Sequence, residues 1–134
     1  MNEYGQFHDG SFDGLWINGK SAHVFLSTGE KRPFTVTLLE VAALSASEFR
    51  AGSIVLSVET RESEEISAKD IADLFDLHEG TADEAQVARQ LAKARAEKLL
   101  LFTIAPSYGA YCLILARYMD LVPRRDWIRR YCLG

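Results

Sequence analysis

Histidines and aspartates cluster near the start of the chain, in the stretch FHDGSFDGLWINGKSAHVFL. An exposed histidine titrates near neutral pH and an adjacent carboxylate can raise its pKa, so His8 beside Asp9 has the residue types of a general acid–base pair. His23 is the next histidine along the chain, and these three residues are the candidate catalytic groups. In an extended hairpin, roughly 20 Å separates His8 from His23, so the spacing disfavours a metal site between them.

Other patterns that bind cofactors or metals are missing from the sequence. It contains no Gly-x-Gly-x-x-Gly or P-loop motif, and His78-Glu79 has no second histidine at the spacing of a zinc-binding helix. Cys112 lies within an apolar run and Cys132 close to the C-terminus, a spacing that fits free thiols rather than zinc ligands or a disulfide. We therefore predict neither a cofactor nor a metal site.

A β-hairpin is the clearest local prediction. FDGLWI and SAHVFLS flank Asn18-Gly19, the dipeptide that favours a type I′ turn. A two-residue turn and a four-residue loop give different registers, but in both of them His23 shares a face of the sheet with Trp16. Because successive side chains alternate between faces, Asp13 is expected on the other face, which disfavours an Asp13–His23 pair.

The remaining apolar patterns predict further strands and two helices. FTVTLL and SIVLSVET alternate apolar with polar residues, whereas LLLFTIA and AYCLILARY form a late hairpin that is apolar on both faces. Ser67 and Thr81 each precede an acidic residue by three positions, the pattern that begins a helix. The order of β-meander, two helices and β-hairpin predicts an α+β fold, with the helices packed on one face of an antiparallel sheet of about six strands.

Length and composition fit a single domain that spans residues 1–134. The chain is 48% hydrophobic and 25% charged, a balance that excludes intrinsic disorder. No stretch approaches the ~20 apolar residues of a membrane span, and the first ten residues lack the basic and apolar segments of a secretory signal. We expect a cytoplasmic protein with no membrane partner.

Charge is distributed unevenly along the chain. Between Glu59 and Glu84 ten acidic residues stand against two basic ones, a net charge of −8, whereas the whole chain carries −4. Complementary potential accelerates and orients association, so this segment is predicted to bind a basic protein. The alternative is a solvated helix surface whose acids favour helix N-termini. The predicted contact residues are Glu62, Glu64, Glu65, Asp70, Asp73 and Asp76.

The C-terminal tail, residues 123–134, is basic and aromatic. Four arginines and one aspartate give RRDWIRRYCLG a net charge of +3. The spacing of Trp127, Ile128 and Tyr131 predicts a short amphipathic helix that closes the core or contacts another subunit, so the tail is also a candidate surface for a homo-oligomer. Arginines beside aromatic rings can bind nucleic acid, but an isoelectric point of about 5.4 disfavours attraction to a polyanion. We predict no nucleic-acid partner.

The stretches FHDGSFDGLWI and LLLFTIAPSYGAYCLILA, together with the small acidic α+β plan, resemble small bacterial α+β domains, among them some immunity proteins that neutralise polymorphic toxins. The resemblance covers the first hairpin and the late hairpin. It implies a non-catalytic protein whose acidic surface occludes a basic toxin, and it transfers no site residues to this chain.

Two functions from different classes follow from the sequence. The first is a non-enzymatic interaction protein that uses the acidic segment as its contact surface. The second is a small enzyme or ligand-binding domain with a polar site near His8, Asp9 and His23, lined by aromatic residues of the first hairpin. A concave pocket that joins the histidines to other polar groups would favour the second function.

Overall fold

A computed structural model describes residues 3–47, 54–77, 81–108 and 111–132. The six strands are β1 (Ser11–Asn18), β2 (Ser21–Ser27), β3 (Pro33–Ser47), β4 (Ile54–Arg61), β5 (Leu100–Tyr108) and β6 (Tyr111–Pro123). The three α-helices are α1 (Ala68–Leu74), α2 (Thr81–Ala96) and α3 (Arg124–Tyr131). Short 3-10 helices, Glu3–Phe7 and Ser63–Glu65, precede β1 and α1. The predicted α+β class is confirmed.

Local capping sets the bounds of α1. The Ser67 hydroxyl accepts a hydrogen bond from the Asp70 N–H at 3.1 Å, and the Asp70 carboxylate accepts one from the Ser67 N–H at 2.9 Å. This reciprocal pair is the predicted capping box. The helix ends at Leu74, and Asp76 just beyond it has a positive φ of 53°. Within the described ranges, no helix is long and apolar enough to span a membrane.

The six antiparallel strands close into a barrel, a closure that the predicted sheet of about six strands did not include. Their order is β1-β2-β3-β6-β5-β4, and β1 meets β4 through the antiparallel pair Ser11 and Ile54. β3 and β6 are 15 and 13 residues long and pair along most of their length. Strands of this length twist strongly, which lets the sheet curl until its first and last strands meet.

The closure depends on Gly10, the residue before β1. The chain passes so close to β2 here that a Cβ at this position would lie 2.0 Å from the Ser27 carbonyl oxygen. The Gly10 carbonyl accepts the Val55 N–H at 3.0 Å, and the Asp9 N–H donates to the Val55 carbonyl at the same distance. A side chain at position 10 would therefore push the start of β1 away from both of its neighbours.

Alternate residues of the strands fill the barrel. In β6, Cys112 and Ile114 point inward, whereas Leu113 and Leu115 point outward. Phe7 joins the interior from the first 3-10 helix and is fully buried. The other buried apolar residues of the interior strands are Phe12, Ala22, Val24, Leu26, Val36, Leu38, Val55, Val58, Phe102, Ile104 and Ala116.

Helices cover two separate parts of the outer surface rather than the single face that was predicted. α1 and α2 lie over β5 and β6 and share with them a second core, formed by Ile66, Ile71, Leu74, Ala94, Leu99, Leu101 and Leu115. α3 instead folds back over β1 and β2, where Trp127 contacts the rings of Trp16 and Phe25. The late hairpin is apolar on both faces because one face lines the barrel and the other lies under α1 and α2.

The first hairpin is confirmed, and Trp16 lies opposite His23, which is the register expected of the four-residue loop rather than of a two-residue turn at Asn18-Gly19. Asn18 pairs with Ser21, so Gly19 and Lys20 are the central residues of the turn. Gly19 has a φ of 61°, whereas Lys20 does not have a positive φ. A positive φ at the first central residue alone is the pattern of a type II′ turn rather than the expected type I′.

A β-bulge in β1 changes which side chains share a face. The register shifts between Phe12 and Gly14, so Asp13 opposes no residue of β2. Phe12 consequently points into the barrel and Trp16 points outward, although strict alternation would place them together. The same bulge brings Asp13 to the outer surface, on the same side as Trp16 and contrary to the prediction.

Replacing Gly10 with alanine should destabilise the barrel by about 3 kcal/mol, because the new methyl group can be accommodated only by moving backbone. Gly5→Ala is the matched control, since a Cβ at position 5 meets nothing within 4 Å. We expect the control to change the free energy of unfolding by less than about 0.5 kcal/mol. Urea denaturation followed by far-UV circular dichroism measures both, and equal midpoints would contradict the assigned closure.

Candidate functional site

The predicted polar residues do not come together in one place. His8 and Asp9 follow the first 3-10 helix with exposed side chains, and His8 Nε2 lies 3.7 Å from Asp9 Oδ2. They stand beside the turn after β2, where His8 borders a hollow of about 330 Å³ with Thr28 and Gly29. His23 lies five residues before Thr28, roughly 16 Å away along β2, and does not line this hollow.

His23 is buried beneath α3, with 2% of its surface exposed. The Trp127 indole N–H donates to His23 Nδ1 at 2.9 Å, and Thr37 Oγ1 lies 3.1 Å from the same nitrogen. An indole N–H can only donate, which implies that Nδ1 is unprotonated and that the neutral ring carries its proton on Nε2. Burial lowers the pKa of His23 from its ordinary value. The contacts of His23 are those of an anchor for α3.

Aromatic rings surround this histidine on several sides. Trp16 stacks on it with 4.9 Å between ring centroids, and Tyr131 meets it edge to face at 5.0 Å. Trp127 also approaches edge to face, at 5.4 Å. These rings exclude water from the Trp127–His23 hydrogen bond, which strengthens it relative to an exposed one.

Arg124 fixes the beginning of α3. Its Nη2 lies 3.2 Å from Asp13 Oδ2 and 3.0 Å from each of two backbone carbonyl oxygens, one in β2 and one in β3. The Asp13 carboxylate also accepts the hydroxyls of Ser11 and Ser27, each at 2.6 Å. The β-bulge thus contributes to the attachment of α3, because it places Asp13 within hydrogen-bond distance of Arg124.

A groove of about 570 Å³ runs between α1 and the outer surface of β4, β5 and β6. Three of the six predicted contact residues, Asp70, Asp73 and Asp76, stand along its α1 side. The remaining lining residues are Glu59, Arg61, Ala72, Leu77, Thr103, Ile104, Ala105, Pro106, Tyr111 and Leu113. Four carboxylates and one guanidinium give the groove a formal charge of −3, over a partly apolar floor.

The acids of the groove differ in how far they are already paired. Arg61 donates to Asp70, and Arg61 Nη2 lies 3.3 Å from Glu59 Oε2. Burial raises the pKa of Asp70, but the Ser67 N–H and the Arg61 guanidinium outweigh it and hold this pKa below its ordinary value. Glu59, Asp73 and Asp76 are exposed carboxylates, whereas Asp70 is partly buried, and Asp73 accepts a hydrogen bond from Lys69.

The other predicted contact residues, Glu62, Glu64 and Glu65, lie outside this groove. The Glu62 N–H donates to Glu65 Oε1 at 3.0 Å within the 3-10 helix that precedes α1. Glu62 and Glu64 border a separate hollow of about 270 Å³, together with Arg95 and Lys98 of opposite charge. The acidic segment therefore forms two surfaces rather than one continuous face.

Sequence reasoning missed the strand side of the groove. Glu59 and Arg61 are two residues apart on β4 and so share its outer face, a signal that was available from alternation. Tyr111 and Leu113 share the outer face of β6 in the same way. Their proximity to α1 carried no sequence signal, because it depends on how the barrel closes.

Possible metal ligands and the two cysteines are the remaining groups of the described ranges that could take part in chemistry. No group of three or more His, Cys, Asp or Glu side chains converges there, while His78 and Glu79 lie outside those ranges. Burial raises the pKa of the Cys112 thiol to about 12, so this group is not a nucleophile at neutral pH. Cys132 is exposed just after α3.

The buried His23 predicts a pH dependence of stability. Its pKa is lower in the folded protein than in the unfolded chain, where it is about 6.5. The contribution of neutral His23 to the free energy of unfolding is therefore fully present above pH 6.5. It decreases as the pH drops below that value, by at most about 1.4 kcal/mol per pH unit. His23→Gln should remove this component, whereas the exposed control His8→Gln should keep it. Urea titrations between pH 7.5 and 5 measure the slopes, and equal slopes for wild type and His23→Gln would refute the assignment.

Comparison of the sequence with protein-family models and with curated proteins finds no match.

Proposed function

We propose that this protein is a non-enzymatic binding protein of the immunity type that its resemblance implies, and that its acidic groove receives a basic segment of another protein. The observation that carries the proposal is the position of Asp73 and Asp76 at the C-terminal end of α1. The partial negative charge of a helix C-terminus disfavours carboxylates there. The last turn of α1 contains no basic residue that would offset this repulsion.

A merely solvated acidic surface accounts for Asp70 but not for the other two acids. Asp70 lies in the first turn of α1, where a carboxylate is favourable. Asp73 pairs with the exposed Lys69 at 2.7 Å, in the less favourable order of base before acid along a helix. Asp76 adopts a positive φ, which is uncommon for residues other than glycine. A cationic partner would compensate for this placement.

The floor of the groove defines the partner further. Leu77 and Leu113 contribute apolar surface between the acidic wall and the strands. Tyr111 remains 37% exposed at the same site. A segment that fits must therefore carry an apolar side chain between its basic ones, as one face of an amphipathic basic helix does.

Changing the charge of the groove tests the proposal. Asp73→Lys with Asp76→Asn raises the charge by three units and should abolish partner capture from a lysate of the source organism. Asparagine tolerates the positive φ at position 76, and lysine suits a helix C-terminus, which offsets the lost Lys69–Asp73 pair, so the stability of the variant should lie within about 0.5 kcal/mol of wild type. With a captured and purified partner, the variant should associate more slowly and with a flatter salt dependence.

The matched control is Glu30→Lys with Glu97→Gln, which changes the charge by the same three units at exposed positions outside the groove and outside the predicted contact residues. This control should capture the same partner as wild type. Identical captured proteins for wild type and the groove variant would overturn the proposal.

A further inference from the structure

We infer that, without its partner, the acidic groove binds α3 of a second copy of this chain in a head-to-tail contact. The inference rests on the proposed function, because it takes the groove to be a receptor for basic segments, and it identifies one such segment. It also implies regulation, since self-association and partner binding then compete for the same surface.

α3 presents the required chemistry on its outer side. Arg125, Ile128 and Arg129 are exposed and follow the spacing of one helical face. Arg124 and Arg130 contact Asp13 and Asp120. In the part of the chain that the structure describes, Arg125 and Arg129 have no such carboxylate partner.

The exposed charges of α3 are opposite in sign to those of the groove. Arg125 and Arg129 are one helical turn apart, with roughly 5–6 Å between their Cβ atoms. Asp73 lies in the last turn of α1 and Asp76 just beyond the helix. Ile128 lies beside the two arginines on the same exposed face, where it would meet the apolar floor of the groove.

Other occupants fit less well. α3 cannot reach the groove of its own chain, because the Trp127–His23 and Arg124–Asp13 contacts hold it on β1, β2 and β3. A symmetric contact between two α3 helices would place the exposed arginines of both copies against one another, which like-charge repulsion disfavours. The groove of a second copy offers opposite charge instead.

A head-to-tail contact uses two different surfaces, so each copy retains one free groove and one free α3. Such contacts extend into chains or close into rings. The surface involved is small, so we expect weak, reversible association that depends on protein concentration and on salt.

Sedimentation equilibrium of complementary variants tests the inference, with Cys132→Ser in every protein to exclude disulfide-linked species. One variant carries Asp73→Lys with Asp76→Asn and lacks the groove charge. The other carries Arg125→Glu with Arg129→Gln and lacks the α3 charge. Concentrations run from about 10 μM to about 1 mM, the range in which a contact below about 1,200 Å² associates.

We expect the average mass of wild type to rise above the monomer value of 15.0 kDa with concentration and to fall again on addition of salt. Each variant alone should remain monomeric. An equimolar mixture restores one native contact and should stop at a 1:1 dimer of about 30 kDa, twice the mass of 15.0 kDa.

Self-association of either variant alone at the level of wild type would overturn the inference, because the contact would then not join α3 to the groove. Wild type that stays monomeric throughout would overturn it as well. In that case, partner capture that still depends on Asp73 and Asp76 would leave the proposed function standing, so the two failures are distinguishable. The Glu30→Lys and Glu97→Gln control should associate as wild type does.

Discussion

Barrel closure rests on a short seam at which the chain around Gly10 touches β2 and β4 together. The approach to the Ser27 carbonyl leaves no room for a Cβ, and the adjacent backbone bonds to Val55 join the first strand to the fourth. Farther along the barrel, the antiparallel pairing of β4 with β5 and of β5 with β6 places the outward residues of these strands side by side. The acidic groove therefore exists only because strands that are distant in sequence are brought round into one wall.

α1 and α3, which lie on different parts of the barrel surface, carry exposed charges of opposite sign. Two contacts attach α3 to the barrel without leaving an unpaired charge. Arg124 is paired with Asp13, and His23, which accepts the Trp127 N–H, is neutral. The outward arginines of α3 are thereby left to solvent. At α1 the exposed acids oppose the helix dipole, an arrangement that lowers stability by roughly 0.3–1 kcal/mol per charge. Selection for stability alone would replace such locally unfavourable groups. Where they persist, they commonly have a functional role.

Local patterns predicted most elements of this fold. Turn chemistry located the first hairpin and capping boxes located α1, because both depend on residues only a few positions apart. The closed barrel could not be predicted, since its seam joins residues 11 and 54. The bulge at Asp13 could not be predicted from the sequence either. Because of it, Phe12 and Trp16 point to opposite faces of the sheet, whereas strict alternation would place them on the same face. For the candidate site, composition indicated Asp70, Asp73 and Asp76, but Glu59 and Tyr111 enter the groove only through tertiary packing.

The aromatic packing around His23 also determines which part of the molecule tryptophan fluorescence and circular dichroism detect. Trp16 and Trp127 are the two tryptophans of the chain, and their ring centroids lie 6.0 Å apart in an edge-to-face arrangement. Intrinsic emission therefore originates from one place, the contact between α3 and the first hairpin. Such close indoles couple as an exciton pair, so ultraviolet optical activity records whether the helix is seated. A spectroscopist who follows tryptophan in this protein observes the attachment of α3 rather than the integrity of the barrel interior.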